Sequence, residues 1–309
     1  MFRAENGVYV VAIDHGYSTV KTVDMVRDNG VTNCVAKPAV LDQMLYWNGK
    51  YYKVFEGHLD FAKSNVGSDS LYVSTLAMLG HIAKTIGVHE MKVILGVGLP
   101  FSRHGAEKKT FKDYLCQNSV VHFEYEEWAL SLVIEDVYVF PQGFAAAYGR
   151  LEEIGRDSYV VDIGSRTFDC VHIKQGLPIE ADSFSQQDGI RKVYQEIKDS
   201  IFSATGKVMP DERIDEMIYM NEANVPEECK HIVLEKLRKF AEHIEGLLRE
   251  HNIDLELNNV TYVGGGAQIM KKYASCTGEN IRFWCDVKEN AKGYERALRV
   301  KLNKGDRKW

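Results

Sequence analysis

The sequence has no apolar run that approaches the roughly 20 residues needed to cross a bilayer, so we expect no transmembrane segment and no membrane partner. Residues 1–7 do not place basic side chains before a long apolar core, and we therefore expect no secretory signal and a cytoplasmic location. Only six prolines occur in 309 residues and no low-complexity stretch is present, so no flexible linker is expected.

Several chemical motifs are also missing. No GxSxG and no GxxxxGK[ST] occurs, which argues against α/β-hydrolase chemistry and against a P-loop. The segment Gly96-Val97-Gly98 lacks the third glycine of a dinucleotide-binding loop. The ten histidines form no HExxH pair, and the six cysteines form no CxxC pair. We therefore expect neither a zinc site nor a disulfide scaffold, but free thiols in a reducing compartment.

The charge is mildly acidic. Lys and Arg number 38 and Asp and Glu number 44, so the formal net charge is 38 − 44 = −6. Broad, sequence-independent binding of nucleic acid needs a basic surface, and we expect no direct contact with nucleic acid. The basic residues near the C-terminus are interpreted as a solvated helix end, with nucleic-acid binding as the alternative; they are Arg299, Lys301, Lys304, Arg307 and Lys308.

The length predicts two domains, and the alternation of short β-rich runs with helical patterns predicts an α/β protein. Predicted strands are 8–14, 20–26, 91–98, 137–140, 159–162, 168–173 and 259–263. Predicted helices are 70–87, about 105–116, 142–153, about 226–251 and 290–302. The helix at 226–251 has the clearest apolar stripe, formed by Val233, Leu237, Phe240, Ile244 and Leu247.

One motif occurs twice, 148 residues apart. The first copy is Asp14-His15-Gly16-Tyr17-Ser18-Thr19-Val20-Lys21, and the second is Asp162-Ile163-Gly164-Ser165-Arg166-Thr167-Phe168-Asp169. Both fit the pattern D-x-G-x-x-T-x-(K/D), and each follows an apolar strand. Nearly half of the chain separates the two copies, which indicates two similar α/β domains.

The motif suits phosphate binding. An Asp at a strand end can point toward a ligand, and a Gly two residues later lets the backbone turn sharply and approach it. Carboxylates repel phosphate, but two of them can hold a hydrated Mg²⁺ that bridges to phosphate oxygens. Lys21 adds a positive charge near the phosphates. For either copy alone, a β-hairpin with a glycine turn remains the alternative.

Two further segments suggest ligand contacts. Gly264, Gly265 and Gly266 follow a predicted strand, where glycines let the backbone approach a flat or charged ligand; glycines needed only for packing are the alternative. Gln142 lies in the predicted first turn of the helix after Pro141, where a neutral amide can orient a water molecule or simply face solvent.

In this order, the four segments resemble the actin, sugar-kinase and heat-shock-chaperone ATPase superfamily. Within it, the sequence is most similar to the bacterial actin-like plasmid-segregation proteins of the ParM (StbA) type, whose second phosphate motif reads D-L-G-G-T-T-L-D. The turn at Leu99-Pro100 and the segment Lys292-Gly293-Tyr294 also look like parts of this superfamily, the latter like its second connecting segment.

The resemblance implies a role for each matching position. Asp14 and Asp162 would hold Mg²⁺ through water, and Gln142 would position the attacking water. The nucleotide-binding residues would be Gly16, Ser18, Thr19 and Lys21 in the first hairpin, Gly164, Ser165, Arg166 and Thr167 in the second, Gly189 near the ribose, and Gly264, Gly265 and Gly266 on the nucleoside. Two positions depart from the pattern: Ser165 replaces a usual glycine, and Arg166 either clamps a phosphate or points to solvent.

The resemblance also implies fold and function. We expect two similar ribonuclease H-like (actin-like) domains facing a nucleotide cleft, domain I from 1–148 plus 290–309 and domain II from 149–289. The expected activity is hydrolysis of ATP (or GTP) with Mg²⁺, coupled to assembly of the chain with itself into filaments for plasmid or DNA segregation through a DNA-binding adaptor protein. The alternatives are a small-molecule, sugar-type kinase of the same superfamily and a nucleotide-binding scaffold with little hydrolysis.

Overall fold

The structure is a computed structural model, which describes residues 1–4, 7–59, 66–220 and 224–304. The chain divides into two compact units: unit 1 comprises Met1–Gly149 and Lys288–Trp309, and unit 2 comprises Arg150–Val287. Two of the basic C-terminal residues, Arg307 and Lys308, lie outside the described residues, as does the side chain of Lys304.

Unit 1 is built on a ten-stranded sheet. Its strands are β1 (Phe2–Arg3), β2 (Tyr9–His15), β3 (Thr19–Lys21), β4 (Val26–Asp28), β5 (Val31–Cys34), β6 (Met44–Trp47), β7 (Lys50–Val54), β8 (Glu90–Leu99), β9 (Val121–Tyr125) and β10 (Trp128–Pro141). Its first helices are α1 (Asp69–Ile86), α2 (Phe101–Leu115) and the single turn α3 (Phe144–Ala147). The strand order is β4-β3-β2-β8-β10-β9-β6-β7-β5, and β1 pairs with β2. Strands β2, β8 and β10 run parallel, and the others pair antiparallel.

Unit 2 is built on a five-stranded sheet. Its helices are α4 (Leu151–Ile154), α5 (Ile190–Thr205), α6 (Asp211–Asp215), α7 (Glu227–Glu250) and α8 (Ala267–Tyr273), and a one-turn π-helix spans Glu216–Met220. Its strands are β11 (Asp157–Ile163), β12 (Phe168–Lys174), β13 (Leu177–Gln186), β14 (Asn259–Val263) and β15 (Ile281–Phe283), in the order β13-β12-β11-β14-β15. The last helix of the chain, α9 (Glu289–Lys304), belongs to unit 1.

Both units contain the same five-strand arrangement. In unit 1, β4, β3 and β2 pair antiparallel, and β8 and β10 then continue parallel to β2. In unit 2, β13, β12 and β11 pair antiparallel, and β14 and β15 continue parallel to β11. The α/β class and the two similar α/β units predicted from the sequence are therefore confirmed. Unit 1 extends this arrangement at one edge with β9, β6, β7 and β5.

The central strands of unit 1 are buried on both faces. On β2, Val11 and Ile13 pack in the core that includes α1, whereas Val10 and Ala12 pack in a second core that includes α9. Because successive strand residues point to opposite faces, the next two positions continue this alternation: Asp14 lies on the α9 face and His15 on the α1 face. The alternation decides what each of these two side chains can contact.

Three sequence predictions about element boundaries are wrong. The predicted helix 142–153 is broken, because β10 extends through Pro141, Gly143 and Gly149 have φ of 73° and 80°, and only the single turns α3 and α4 form. The predicted strand 20–26 ends at Lys21, because residues 22–25 form a turn closed by a hydrogen bond from Thr22 N to Met25 O. The predicted short strand 137–140 is the end of the 14-residue β10.

The long helices follow the predictions closely. Helix α1 begins where Ser68 accepts a hydrogen bond from Leu71 N, and it ends at Gly87, whose φ is 75°. Helix α7 follows Pro226, and all five residues of its predicted apolar stripe are buried. Helix α2 begins at Phe101, about one turn earlier than predicted, directly after Pro100. None of the helices in the described part of the chain is both long and apolar enough to cross a membrane.

Candidate functional site

The first motif forms the turn between β2 and β3. Gly16 N donates to Thr19 O across the turn at 3.0 Å, and Asp14 is directly opposite Lys21 in the strand register. A Cβ at position 16 would lie 2.8 Å from Thr19 O and 3.2 Å from Lys21 Nζ, so the turn is too tight for a larger residue. The glycine is therefore required by the close approach of Thr19 and Lys21.

The Asp14 carboxylate is buried and receives three donors. Lys21 Nζ lies 3.3 Å from Oδ2, Gln142 Nε2 donates to Oδ1 at 2.9 Å, and the Tyr294 hydroxyl donates to Oδ1 at 3.2 Å. Two predicted site residues, Lys21 and Gln142, thus contact a third, Asp14. Gln142 lies between β10 and α3 rather than inside a helix, and its backbone N–H donates to Leu99 O. The role of Tyr294 in this cluster was missed, although its segment was noted.

Asn29, a buried asparagine, links the first turn to α1. Asn29 Nδ2 donates to Gly16 O at 2.5 Å, and Asn29 N donates to Ser18 O at 2.9 Å. The Ser74 hydroxyl on α1 donates to Asn29 Oδ1. Asn29 is fully buried, so each of its polar atoms needs a partner inside the protein. Sequence reasoning missed Asn29; the Asn29-Gly30 pair, which lies between β4 and β5, was the available signal.

His15 points away from Asp14, toward α1. Its Nε2 lies 2.9 Å from Thr75 Oγ1, and the Thr75 hydroxyl itself donates to Leu71 O at 2.9 Å. Thr75 therefore accepts from Nε2–H, which leaves Nδ1 without a proton; Nδ1 is buried and has no hydrogen-bond partner. Burial lowers the pKa of His15 to about 4, the nearby Asp14 charge raises it in part, and Lys21 lowers it further.

The second motif has the same geometry in unit 2. Gly164 N donates to Thr167 O at 2.9 Å, and Asp162 is directly opposite Asp169 in the β11–β12 register. The carboxylate of Asp169 accepts from the Thr167 hydroxyl at 2.8 Å and from the Ser185 hydroxyl. Both aspartates are buried, Asp162 to 8% exposure and Asp169 to 3%. Where unit 1 pairs a carboxylate with a lysine, unit 2 places two carboxylates across one hairpin, an arrangement that favours a nearby cation.

The start of α5 packs against the second turn. Gly189 N, Ile190 N and Arg191 N donate to the carbonyl oxygens of Arg166, Gly164 and Ser165 at 3.0, 3.1 and 2.8 Å. A Cβ at Gly189 would overlap the backbone of Arg166. These contacts bring Gly189 together with the predicted phosphate-binding residues of the second turn. The first N–H groups of α5 thus donate to carbonyl oxygens of the second turn and hold that turn against the helix N-terminus.

The glycine loop after β14 lies beside Asp162. Gly264 has φ of 80°, and a Cβ there would lie 2.8 Å from Ile163 O and would overlap Asp162 Oδ1. Gly266 N donates to Ile163 O at 3.0 Å. The Tyr219 hydroxyl, carried by the π-helix, donates to Gly265 O at 3.2 Å. The three predicted nucleoside-binding glycines therefore share one surface of unit 2 with the second turn.

Each unit thus carries a buried carboxylate next to a glycine turn. In the parts of the chain that the structure describes, no three His, Cys, Asp or Glu side chains are placed to ligate a metal ion directly. A hydrated Mg²⁺ that contacts a carboxylate through water needs no such cluster, so the chemistry of Asp14 in unit 1 and of Asp162 in unit 2 fits the predicted ion. The turns also fit phosphate, since glycine turns can present backbone N–H groups to an anion.

Comparison with known proteins supports an actin-like fold. Residues 160–274 match the family model of archaeal actin homologues, MreB-like, C-terminal part. A structure of Ta0583, an archaeal actin homologue in complex with ADP, is 21% identical, covers 95% of this chain and all of its own, and has a TM-score of 0.75.

Two further solved structures are similar. ParM of Bacillus thuringiensis with ATP is 14% identical and covers 96% of this chain and 99% of its own, with a TM-score of 0.71. The Alp12 filament structure is 13% identical and covers 95% of this chain and 99% of its own, with a TM-score of 0.68. No curated protein matches the sequence. At these identities the likeness establishes the fold of the whole chain.

Proposed function

Because this chain has the actin-like fold, we propose that it is an actin-like nucleoside triphosphatase that binds Mg²⁺ with ATP or GTP and assembles into filaments. The observation that carries this proposal is the repeated turn: in each unit a buried aspartate, Asp14 or Asp162, precedes a glycine turn with the same register and the same closing hydrogen bond. Structures of similar proteins with ADP, with ATP and as a filament support the proposal.

In this proposal, both turns act on one nucleotide. Asp14 and Asp162 hold the hydrated Mg²⁺, which when bound neutralises phosphate charge. Lys21, whose Nζ lies 3.3 Å from Asp14 Oδ2, contacts the β- and γ-phosphates with its positive charge. In unit 2, Ser165 and the backbone N–H of Thr167 supply hydrogen-bond donors to the phosphates, since the Thr167 hydroxyl donates to Asp169. Arg166 adds a guanidinium suited to bidentate contact.

Gln142 positions the attacking water. Its Nε2 donates a hydrogen bond to Asp14 Oδ1 at 2.9 Å, and this bond fixes the orientation of the amide. The opposite end of the amide is Oε1, which can only accept a hydrogen bond. A water that donates one proton to Oε1 is held with a lone pair available for attack on the γ-phosphorus. Gln142 thus orients the nucleophile without removing its proton.

Filament assembly would depend on the nucleotide. A triphosphate contacts both turns at once, and hydrolysis removes the γ-phosphate that links them, so the triphosphate and diphosphate states differ in the contacts they make. We propose that the filament serves plasmid or DNA segregation and binds DNA through an adaptor protein, because the net charge of −6 does not favour direct binding to DNA.

The proposal is tested by light scattering and pelleting of the purified protein. We expect assembly with Mg²⁺-ATP or Mg²⁺-GTP and with a non-hydrolysable analogue, little assembly with ADP, and phosphate release that follows assembly. Asp14→Asn and Asp162→Asn should abolish both signals. The matched control is Asp199→Asn, an exposed aspartate on α5 whose carboxylate accepts from Gln195 Nε2, which should leave both signals unchanged.

Two outcomes would contradict the proposal in different ways. Assembly that does not respond to nucleotide, together with no phosphate release, would favour a nucleotide-binding scaffold. Transfer of phosphate to sugars, measured with a panel of hexoses, would favour a small-molecule kinase of the same superfamily.

A further inference from the structure

Tyr294 is a buried tyrosine whose hydroxyl reaches the site. It lies on α9, is fully buried, and donates to Asp14 Oδ1 at 3.2 Å. Its ring stacks on Phe140 with centroids 5.6 Å apart. The space for the hydroxyl depends on Gly98 of β8, because a Cβ at that position would overlap Tyr294 Oη. The strand and the helix are thus built to let this hydroxyl approach the carboxylate.

The two oxygens of Asp14 receive different donors. Oδ2 faces the charged amine of Lys21 at 3.3 Å, whereas Oδ1 accepts from two neutral groups, the Gln142 amide at 2.9 Å and the Tyr294 hydroxyl. Two directional hydrogen bonds on one oxygen fix the plane of the carboxylate. Gln142 and Tyr294 therefore help to set the orientation of Oδ2 without touching it.

The segment that carries Gln142, with the following turn α3, is hydrogen-bonded to α9, which carries Tyr294. Gly143 N donates to Asn290 Oδ1 at 3.0 Å, and Arg296 donates to Ala146 O and Tyr148 O at 2.8 and 2.7 Å. A Cβ at Gly293 would overlap Ala145 O, so α9 packs directly on the backbone of α3. Gln142 and Tyr294 consequently belong to one packed body.

We propose that Tyr294 is a positioning residue that orients the Asp14 carboxylate toward the hydrated Mg²⁺ of the nucleotide and keeps Gln142 in register with it. This inference rests on the proposed function, in which Asp14 holds that ion through water. The ring alone would fill the buried space, so the hydroxyl is the part that acts on the site. Its loss should weaken binding that depends on the metal and leave metal-independent binding of nucleotide unchanged.

The test compares Tyr294→Phe with Tyr72→Phe. Tyr72 is also fully buried in unit 1, but its hydroxyl accepts from Asn118 Nδ2 at 3.3 Å. The probe is a fluorescent ATP analogue, titrated with Mg²⁺ and again with EDTA. We expect Tyr294→Phe to raise Kd about tenfold or more with Mg²⁺, because it removes one hydrogen bond to a charged group. Kd in EDTA should stay within about twofold. Tyr72→Phe should leave both constants unchanged.

A double substitution separates positioning from general destabilisation. In an Asp14→Asn background, Tyr294→Phe should cause no further loss of Mg²⁺-dependent affinity, because the charged oxygen that it orients is gone. The thermal midpoints of Tyr294→Phe and Tyr72→Phe, measured in parallel, should fall by similar amounts, since each loses one buried hydroxyl.

The outcomes distinguish the two proposals. If the wild-type protein binds Mg²⁺-nucleotide but Tyr294→Phe has the same Kd, or loses affinity equally with Mg²⁺ and with EDTA, the positioning role is overturned and the proposed function stands. If the wild-type protein does not bind Mg²⁺-nucleotide, the proposed function fails, and the role of Tyr294 fails with it.

Discussion

The half-buried imidazole of His15 should make the protein less stable in mild acid. In the folded protein its pKa is lowered from 6.5 to about 4, chiefly by burial, with Asp14 opposing and Lys21 adding to the shift. Between pH 6.5 and about 4 the unfolded chain binds a proton at this residue and the folded chain does not. Stability from His15 is therefore fully present above pH 6.5 and is lost as the pH falls through this interval.

The size of the effect follows from the shift. A change from 6.5 to about 4 is about 2.5 pKa units, and at about 1.36 kcal/mol per unit it corresponds to about 3 kcal/mol of unfolding free energy. The structural cause is specific: Nε2 donates to Thr75, and Nδ1, which would carry the added proton, is buried without an acceptor. Protonation would bury an unpaired N–H and a positive charge.

The measurement is urea unfolding at several pH values between 7 and 4, for the wild type and for His15→Gln. Glutamine can keep a donor toward Thr75, but it does not titrate. We expect the two stability profiles to diverge by about 3 kcal/mol over this range, with the wild type losing more. His81 and His104, whose pKa values burial also lowers, are present in both proteins and cancel in the difference. Parallel profiles would refute the assignment of a neutral, unpaired imidazole.

Three further predictions concern the turns. Asn29→Ala should lower the unfolding free energy by about 2–3 kcal/mol, because it leaves Gly16 O and the Ser74 hydroxyl without their buried partner. Urea unfolding at pH 7 measures this loss, and a loss under about 0.5 kcal/mol would contradict the role of Asn29 in holding the first turn. Gly264→Ala should destabilise the protein by about 2 kcal/mol and abolish nucleotide binding, because Gly264 has positive φ and a Cβ there would overlap Asp162 Oδ1. The control Gly105→Ala, in open space on α2, should stabilise the protein by about 0.5–1 kcal/mol. Equal shifts of the thermal midpoint in the two variants would refute the argument that position 264 requires glycine. Gln142→Ala should slow phosphate release about a hundredfold while Kd for nucleotide changes little; a parallel loss of binding would contradict its role in orienting water.

The sequence was most informative where one local pattern determines the structure. The repeat of Asp, Gly and Thr predicted two hairpins, and both form with the same register. The apolar stripe of α7 predicted a buried helix face, because a helix of 24 residues repeats its period several times. Such features depend on residues close together in the chain.

The errors arose where distant contacts decide the local structure. The segment 142–153 has the composition of a helix, but Arg296 of α9 binds the carbonyl oxygens of Ala146 and Tyr148, and Gly143 and Gly149 take up positive φ. These partners lie about 150 residues away in the chain. Gln142 nevertheless lies beside Asp14, because its position is set by the end of β10 and by the hydrogen bond from its N–H to Leu99 O, and not by a helix.

The same limit applies to residues that complete the first turn. Neither the Asn29-Gly30 pair nor the segment that contains Tyr294 indicates these contacts, and only the three-dimensional structure brings Asn29 to Gly16 and Tyr294 to Asp14. The roles assigned to the predicted metal, phosphate and nucleoside residues stay predictions, to be tested by the variants above.

The placement of α9 has a consequence for synthesis. Unit 2 is one continuous stretch, Arg150–Val287, and all of its core is available once that stretch has left the ribosome. Unit 1 is split, so the apolar face formed by Val10, Ile94 and Phe140 stays uncovered until α9 emerges, after the whole of unit 2. The second unit in sequence can therefore complete its folding before the first, and the nascent first unit carries an exposed apolar surface for the time it takes to translate about 140 residues.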